Sequence, residues 1–78
     1  MWGCAPPGQR GMMLVLSAGG SVKFANQRIP ASHEVSGQEH HWTWGNNSVV
    51  LGADGIAQYY EGGDTSNSKG TFKCRAMN

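Results

Sequence analysis

The run His40-His41-Trp42-Thr43-Trp44-Gly45-Asn46-Asn47-Ser48-Val49-Val50-Leu51-Gly52-Ala53-Asp54-Gly55-Ile56-Ala57-Gln58-Tyr59-Tyr60-Glu61 decides the fold. It reads as three short strands joined by two tight turns. Asn46-Asn47 tolerates the positive φ that a two-residue hairpin turn requires, and Gly55 suits the left-handed position of a three-residue loop, 53–55. With those turns Trp44 faces Val49 and Trp42 faces Leu51, while Leu51 faces Ala57 and Val49 faces Tyr59. One face then carries Trp42, Trp44, Val49, Leu51, Ala57 and Tyr59. The other carries His41, Thr43, Val50, Gln58 and Tyr60. Such alternation marks a half-buried antiparallel sheet.

An earlier stretch echoes it. Residues 12–17 and 21–25 form a hairpin around Ala18-Gly19-Gly20, with Leu14, Leu16, Val22 and Phe24 inward and Lys23 outward. Residues 15–24 align without gaps on 50–59; four positions are identical and Phe24 matches Tyr59. The match predicts one loop type and one buried face for both hairpins. It does not by itself separate a repeat from two ordinary glycine-ended hairpins.

Residues 26–39 lack periodicity, and Pro30 is incompatible with a central strand. Ser32 offers a cap for one helical turn carrying His33, Glu34 and Val35, which Gly37 would stop. The segment is expected to be a long connection. Residues 62–69 read as a polar loop. Residues 70–77 read as a last strand, with Phe72, Cys74 and Ala76 inward against Lys73 and Arg75 outward. Pro6-Pro7-Gly8 makes 1–11 an extended N-terminal arm, in which Trp2 is out of place unless it docks.

The expected fold is therefore all-β: one small domain over 1–78, an antiparallel meander of six or seven short strands forming a small barrel, sandwich or strongly twisted sheet. Seventy-eight residues fill one core, and a chain that short needs support from a disulfide or a partner subunit. Three Trp, two Tyr and two Phe are too much apolar material for a disordered chain.

Cys4 and Cys74 are the candidate disulfide. For a bridge, the segment at Cys4 must run antiparallel to, or across the end of, the final strand, pinning Trp2 to the sheet. The compartment follows from the bridge: exported, periplasmic or extracellular, if it is oxidised, and cytoplasmic otherwise. Gly3-Cys4 also suits the end of a lipoprotein signal, but no apolar segment precedes it. No membrane span is expected, because the longest apolar run, 12–16, falls far short of the roughly 20 residues required.

With 14% charged residues and a net charge of +1, the chain offers no overall electrostatic case for nucleic acid or anionic membranes. Glycine pairs lack the lysine and following helix of a phosphate loop, and nothing local activates Cys74 beside His40 or His41 as a nucleophile. No cofactor and no enzymatic activity are expected. His33, His40 and His41 form a weak candidate metal set, in which neighbouring His40 and His41 point to opposite faces.

The aromatics are the better lead. Trp42, Trp44, Tyr59, Tyr60 and His41 are the candidate ligand residues of a non-catalytic binding module for an apolar, planar or sugar ligand. They act either at a barrel mouth or, for His41 and Tyr60 with Thr43 and Gln58, on the outer face. Alternatively, the protein is a structural subunit forming a homo-oligomer through its sheet face or edge strands.

Overall fold

The computed structural model describes residues 1–5, 14–24, 27–60, 62 and 68–77, with the backbone alone at 68 and 69. Its nine strands are β1 (Trp2–Cys4), β2 (Leu14–Ser17), β3 (Ser21–Phe24), β4 (Gln27–Pro30), β5 (Ser32–Ser36), β6 (Glu39–Trp44), β7 (Asn47–Leu51), β8 (Ile56–Tyr60) and β9 (Ser68–Ala76). There is no helix among the described residues. The strands form one antiparallel sheet, ordered β4-β3-β2-β1-β9-β8-β7-β6-β5, that nearly closes into a small barrel.

Two strands that change partner produce the closure. Only Ala31 separates β4 from β5, so 27–36 is a single extended run that pairs first with β3 and then with β6. β9 behaves in the same way: residues 68–73 pair with β8 and residues 74–76 with β1. Such switching strands make corners between sheets. Ala31 and Cys74 are the corner residues.

The interior is the face the alternation assigned. Leu14, Leu16, Val22, Trp42, Val49, Leu51, Ala57, Phe72 and Cys4 are buried, and among the described residues no polar or charged side chain is. Each fully buried aliphatic side chain contributes about 1.5–3 kcal/mol relative to exposure. Trp42 crosses the core, and its indole N–H donates to the Ser17 carbonyl at 2.8 Å, which satisfies the polar atom such a ring carries inward.

Cys4 and Cys74 are directly opposite on β1 and β9 and form a disulfide, with Cα atoms 4.2 Å apart. Met77 N–H donates to the Met1 carbonyl, so in the alternation of an antiparallel ladder Cys4–Cys74 is a non-hydrogen-bonded pair. Such pairs bring side chains closest, which is why a bridge fits there. Trp2 is pinned, half-buried, against the core.

The two hairpins are structural equivalents, and the likeness extends past the ten aligned residues. Leu16 pairs with Val22 as Leu51 pairs with Ala57, and Ile29 then pairs with Val22 as Phe72 does with Ala57. Gly20 N–H donates to the Ser17 carbonyl and Gly55 N–H to the Gly52 carbonyl, each at 3.1 Å. Gly20 and Gly55 have φ of 92° and 82°. Their carbonyls accept from the two corners, Ala31 N–H and Cys74 N–H, each at 2.8 Å. The barrel is thus built from two related halves, β1–β5 and β6–β9, in which β4 with β5 corresponds to the partner-switching β9.

Several expectations are corrected. There are nine strands, not six or seven, because the expected connection at 26–39 holds β4, β5 and the start of β6. Its periodicity was hidden because both strands are mostly exposed, with only Ile29 in β4 and His33 in β5 half-buried. Pro30 ends β4, an edge strand, where its missing N–H costs no ladder bond. Ser32 starts a strand rather than capping a helical turn.

The expected arm at 1–11 is instead β1 at Trp2–Cys4, in the middle of the sheet; residues 6–11 lie outside those described. Parts of the first hairpin, at 12–13 and 25, and most of the polar loop, at 63–67, also lie outside them. The turn after Trp44 uses Gly45-Asn46, where Gly45 takes φ 55° without a Cβ penalty. Trp42 therefore faces Val49, and Trp44 faces Asn47. A slip of that size moves partners but preserves faces, so the inward set survives. Ala76 is exposed because the final strand runs past the core.

Candidate functional site

The sequence candidates separate into an inner and an outer group. Within the inner group, Trp42 is 0% exposed and belongs to the core, so it presents no ligand surface. Trp44 and Tyr59 are half-buried and stacked on each other, with centroids 6.0 Å apart and planes at 8°. They and Trp42 share one face of the sheet.

At the other end of β6, Trp2, His33 and His40 gather around Trp42. Trp2 lies 4.7 Å from His40 and meets Trp42 edge-on at 5.5 Å; His33 stacks on His40 at 5.1 Å. His33 Nε2 and His40 Nδ1 are 2.9 Å apart, one ring donating to the other. This completes the packing of a half-buried strand end. His41 points to the opposite face, with Nε2 3.2 Å from Glu39 Oε1. The three candidate metal histidines therefore do not converge, and no group of three metal-binding side chains occurs among the described residues.

The outer group does converge. His41, Val50, Gln58 and Thr71 are successive cross-strand partners on the outside of β6, β7, β8 and β9. Above them the surface forms an open trough of about 740 Å³. Val50 and Ile56 give it a half-buried apolar floor. Tyr60 closes one side, its hydroxyl donating to Gln58 Oε1. Glu39 holds His41 on the other side, an exposed contact worth little to the fold. Asp54 lies at the end, where Oδ1 accepts from Ile56 N–H at 3.0 Å and fixes the loop as an Asx turn. Thr43, expected beside these residues, does not line the trough.

Alternation alone had placed His41, Val50, Gln58 and Tyr60 on this face. Glu39, Asp54 and Ile56 were missed. Glu39 belongs to a strand start that had been read as connection. Ile56 shares the parity of Gln58 and Tyr60 on β8 and was overlooked because it starts the strand, whereas Asp54 reaches the trough through the geometry of the 52–55 loop, which alternation does not encode.

The disulfide points to an oxidising compartment. No helix among the described residues is long and apolar enough to cross a membrane. No family model, curated protein or solved structure matches the chain.

Proposed function

We propose that the protein is a non-catalytic binding module that takes a neutral sugar in the outer trough of β6–β8. The observation that supports this reading is the convergence of two ring faces with hydrogen-bonding groups over an apolar floor. Tyr60 and His41 offer flat surfaces for the C–H faces of a pyranose. Glu39, Asp54 and Gln58 offer acceptors and donors for its hydroxyls. The volume, about 740 Å³, falls in the range of small-ligand sites.

The test is a panel of neutral oligosaccharides followed by ¹H–¹⁵N and side-chain NMR shifts. Tryptophan fluorescence is the wrong reporter, since the trough contains no Trp. Saturable shifts at His41, Gln58 and Tyr60 are expected, and Tyr60→Ala should remove them while the fold stays intact. A panel that moves none of these resonances would sink the reading.

Self-assembly is the second reading, supported by the outer edges of β4 and β5, which pair with no further strand among the described residues, and by Val35, 58% exposed on β5. Sedimentation giving a concentration-independent mass near 8.3 kDa would dismiss it.

A further inference from the structure

The repeat supplies each half of the barrel with a trough in the same place. On the first half, the concavity of about 250 Å³ is lined by Val15, Ser17, Ser21, Lys23 and Arg28, with Met1 and Met77 at its end. Val15, Ser17, Ser21 and Lys23 occupy the positions held by Val50, Gly52, Ile56 and Gln58 in the second-half trough, and Arg28 the position of Thr71. The backbone is shared and the chemistry is not. Where the second half sets Gln58 directly across from Thr71, the first sets Lys23 directly across from Arg28.

That cationic pair is not required by the fold, because the neutral pair serves the same backbone. Like charges directly opposite on neighbouring strands are destabilising. The His41–Glu39 contact is the sole ion pair among the described residues, and within that set neither cation has a carboxylate partner. Arg75 continues the same cross-strand row beyond Val15 and Gly3. Beside the two cations stand the half-buried Ser17 and Ser21, whose hydroxyls can donate to an anion.

We propose that this trough is an oxyanion site: Lys23 and Arg28, assisted by Ser17 and Ser21, take a phosphate or sulfate group. Arg28 supplies the planar fork that matches two oxygens, and Lys23 a mobile point charge. The group neutralises a repulsion that the empty protein carries.

The experiment compares sodium phosphate and sodium sulfate with sodium chloride at matched ionic strength, on the wild type and on Lys23→Gln/Arg28→Gln. Chloride screens the repulsion without occupying a site. Phosphate and sulfate also stabilise proteins generally by exclusion from their surface, so the variant is the control for that effect. The expected result is an oxyanion-specific rise in melting temperature of several degrees in the wild type that the variant lacks. Saturable shifts of the Lys23 and Arg28 amides should accompany it, and each single change should weaken binding about tenfold. Both cations are exposed, so the variants are expected to fold.

Vesicles with and without phosphatidic acid, beside a soluble sugar phosphate, locate the source of the group: co-sedimentation means a lipid headgroup, and shifts with the sugar phosphate a soluble ester. Equal stabilisation of wild type and variant, or equal stabilisation by chloride, overturns the proposal. Because Gln58 and Tyr60 are untouched, loss of oxyanion binding is distinguishable from loss of the sugar trough.

Discussion

The two halves of the barrel share loops, the registers of β2–β4 and β7–β9, and corner hydrogen bonds, yet their corners are held differently. At Ala31 the chain bends with one N–H···O bond to Gly20 and runs straight on into β5, joined to its own unit by peptide bonds. At Cys74 the same bond is made to Gly55, but β9 then meets β1, the far end of the chain. Nothing in sequence proximity holds β1 there. The disulfide stands at the corner where two strands with a sequence separation of 70 must be brought together, and the other corner does without it. Equivalent backbone can thus carry unequal burdens, and the differences show where covalent or chemical reinforcement has a purpose beyond the fold.

The largest effect should come from removing that reinforcement. The bridge spans a sequence separation of 70, for which the chain-entropy model gives on the order of 4 kcal/mol. A domain of this size shifts by roughly 4–8 °C per kcal/mol. Cys4→Ser/Cys74→Ser is therefore expected to lower the melting temperature by on the order of 20 °C, measured by circular dichroism without reductant. A loss of only a degree or two would mean that the hydrogen-bonded ladder closes this corner as it closes the other.

The loop glycines allow a same-position comparison. A Cβ on Gly20 would meet the Ala31 carbonyl oxygen at 2.7 Å; on Gly55 it would meet the Cys74 carbonyl oxygen at 3.2 Å. Both residues sit at positive φ, which costs a non-glycine residue about 1–2 kcal/mol. Gly20→Ala adds a backbone clash that only movement of the corner relieves. It should cost about 3 kcal/mol, against about 1–2 kcal/mol for Gly55→Ala, read from denaturant midpoints at constant slope. The reverse order would show that the disulfide-tied corner is the less yielding one.

These equivalences also show what a linear sequence can disclose. The faces of β2, β3, β6, β7 and β8 were legible because the tight turns fix a parity that puts Leu14, Leu16, Val22, Trp42, Val49, Leu51 and Ala57 on one face, even where Val15 and Val50 interrupt the polar alternation. The outer trough was half legible for the same reason: His41 and Tyr60 were on the right face. β4 and β5 were not legible, since a strand that switches sheets midway packs on little of its length and shows alternation only at Ile29 and His33. Parity placed Trp44 on the inner face but could not disclose its stacking on Tyr59. The equivalence of Ala31 and Cys74 rests on backbone hydrogen bonds and leaves no trace in residue type.

A smaller effect distinguishes the two tryptophans that stand opposite the residues just past the corners. Trp42 stands opposite His33 as Trp2 stands opposite Ala76. Trp42 is fully buried and bonded to Ser17, while Trp2 is half-buried. Trp42→Phe loses a hydrogen bond of about 1 kcal/mol and some core volume, so about 1–2 kcal/mol is expected. Trp2→Phe should cost roughly half as much or less. Equal losses would mean that the histidine-lined end of the barrel is packed as tightly as its centre.

The smallest effect is the most specific to the comparison. Lys23→Gln gives the first trough the side chain found at the equivalent second-half position, Gln58, and leaves Arg28 without an opposed like charge. Cross-strand charge pairs are worth a few tenths of a kcal/mol. The variant should therefore be more stable than wild type by that amount in dilute buffer, about 1–3 °C by the same size scaling. At 1 M salt the Debye length falls to about 3 Å, and the advantage should vanish. A gain that persists at high salt would point to packing or backbone propensity in place of repulsion. A loss at low salt would mean that Lys23 already has a favourable partner in the folded protein, and that the cations of the first half belong to its structure.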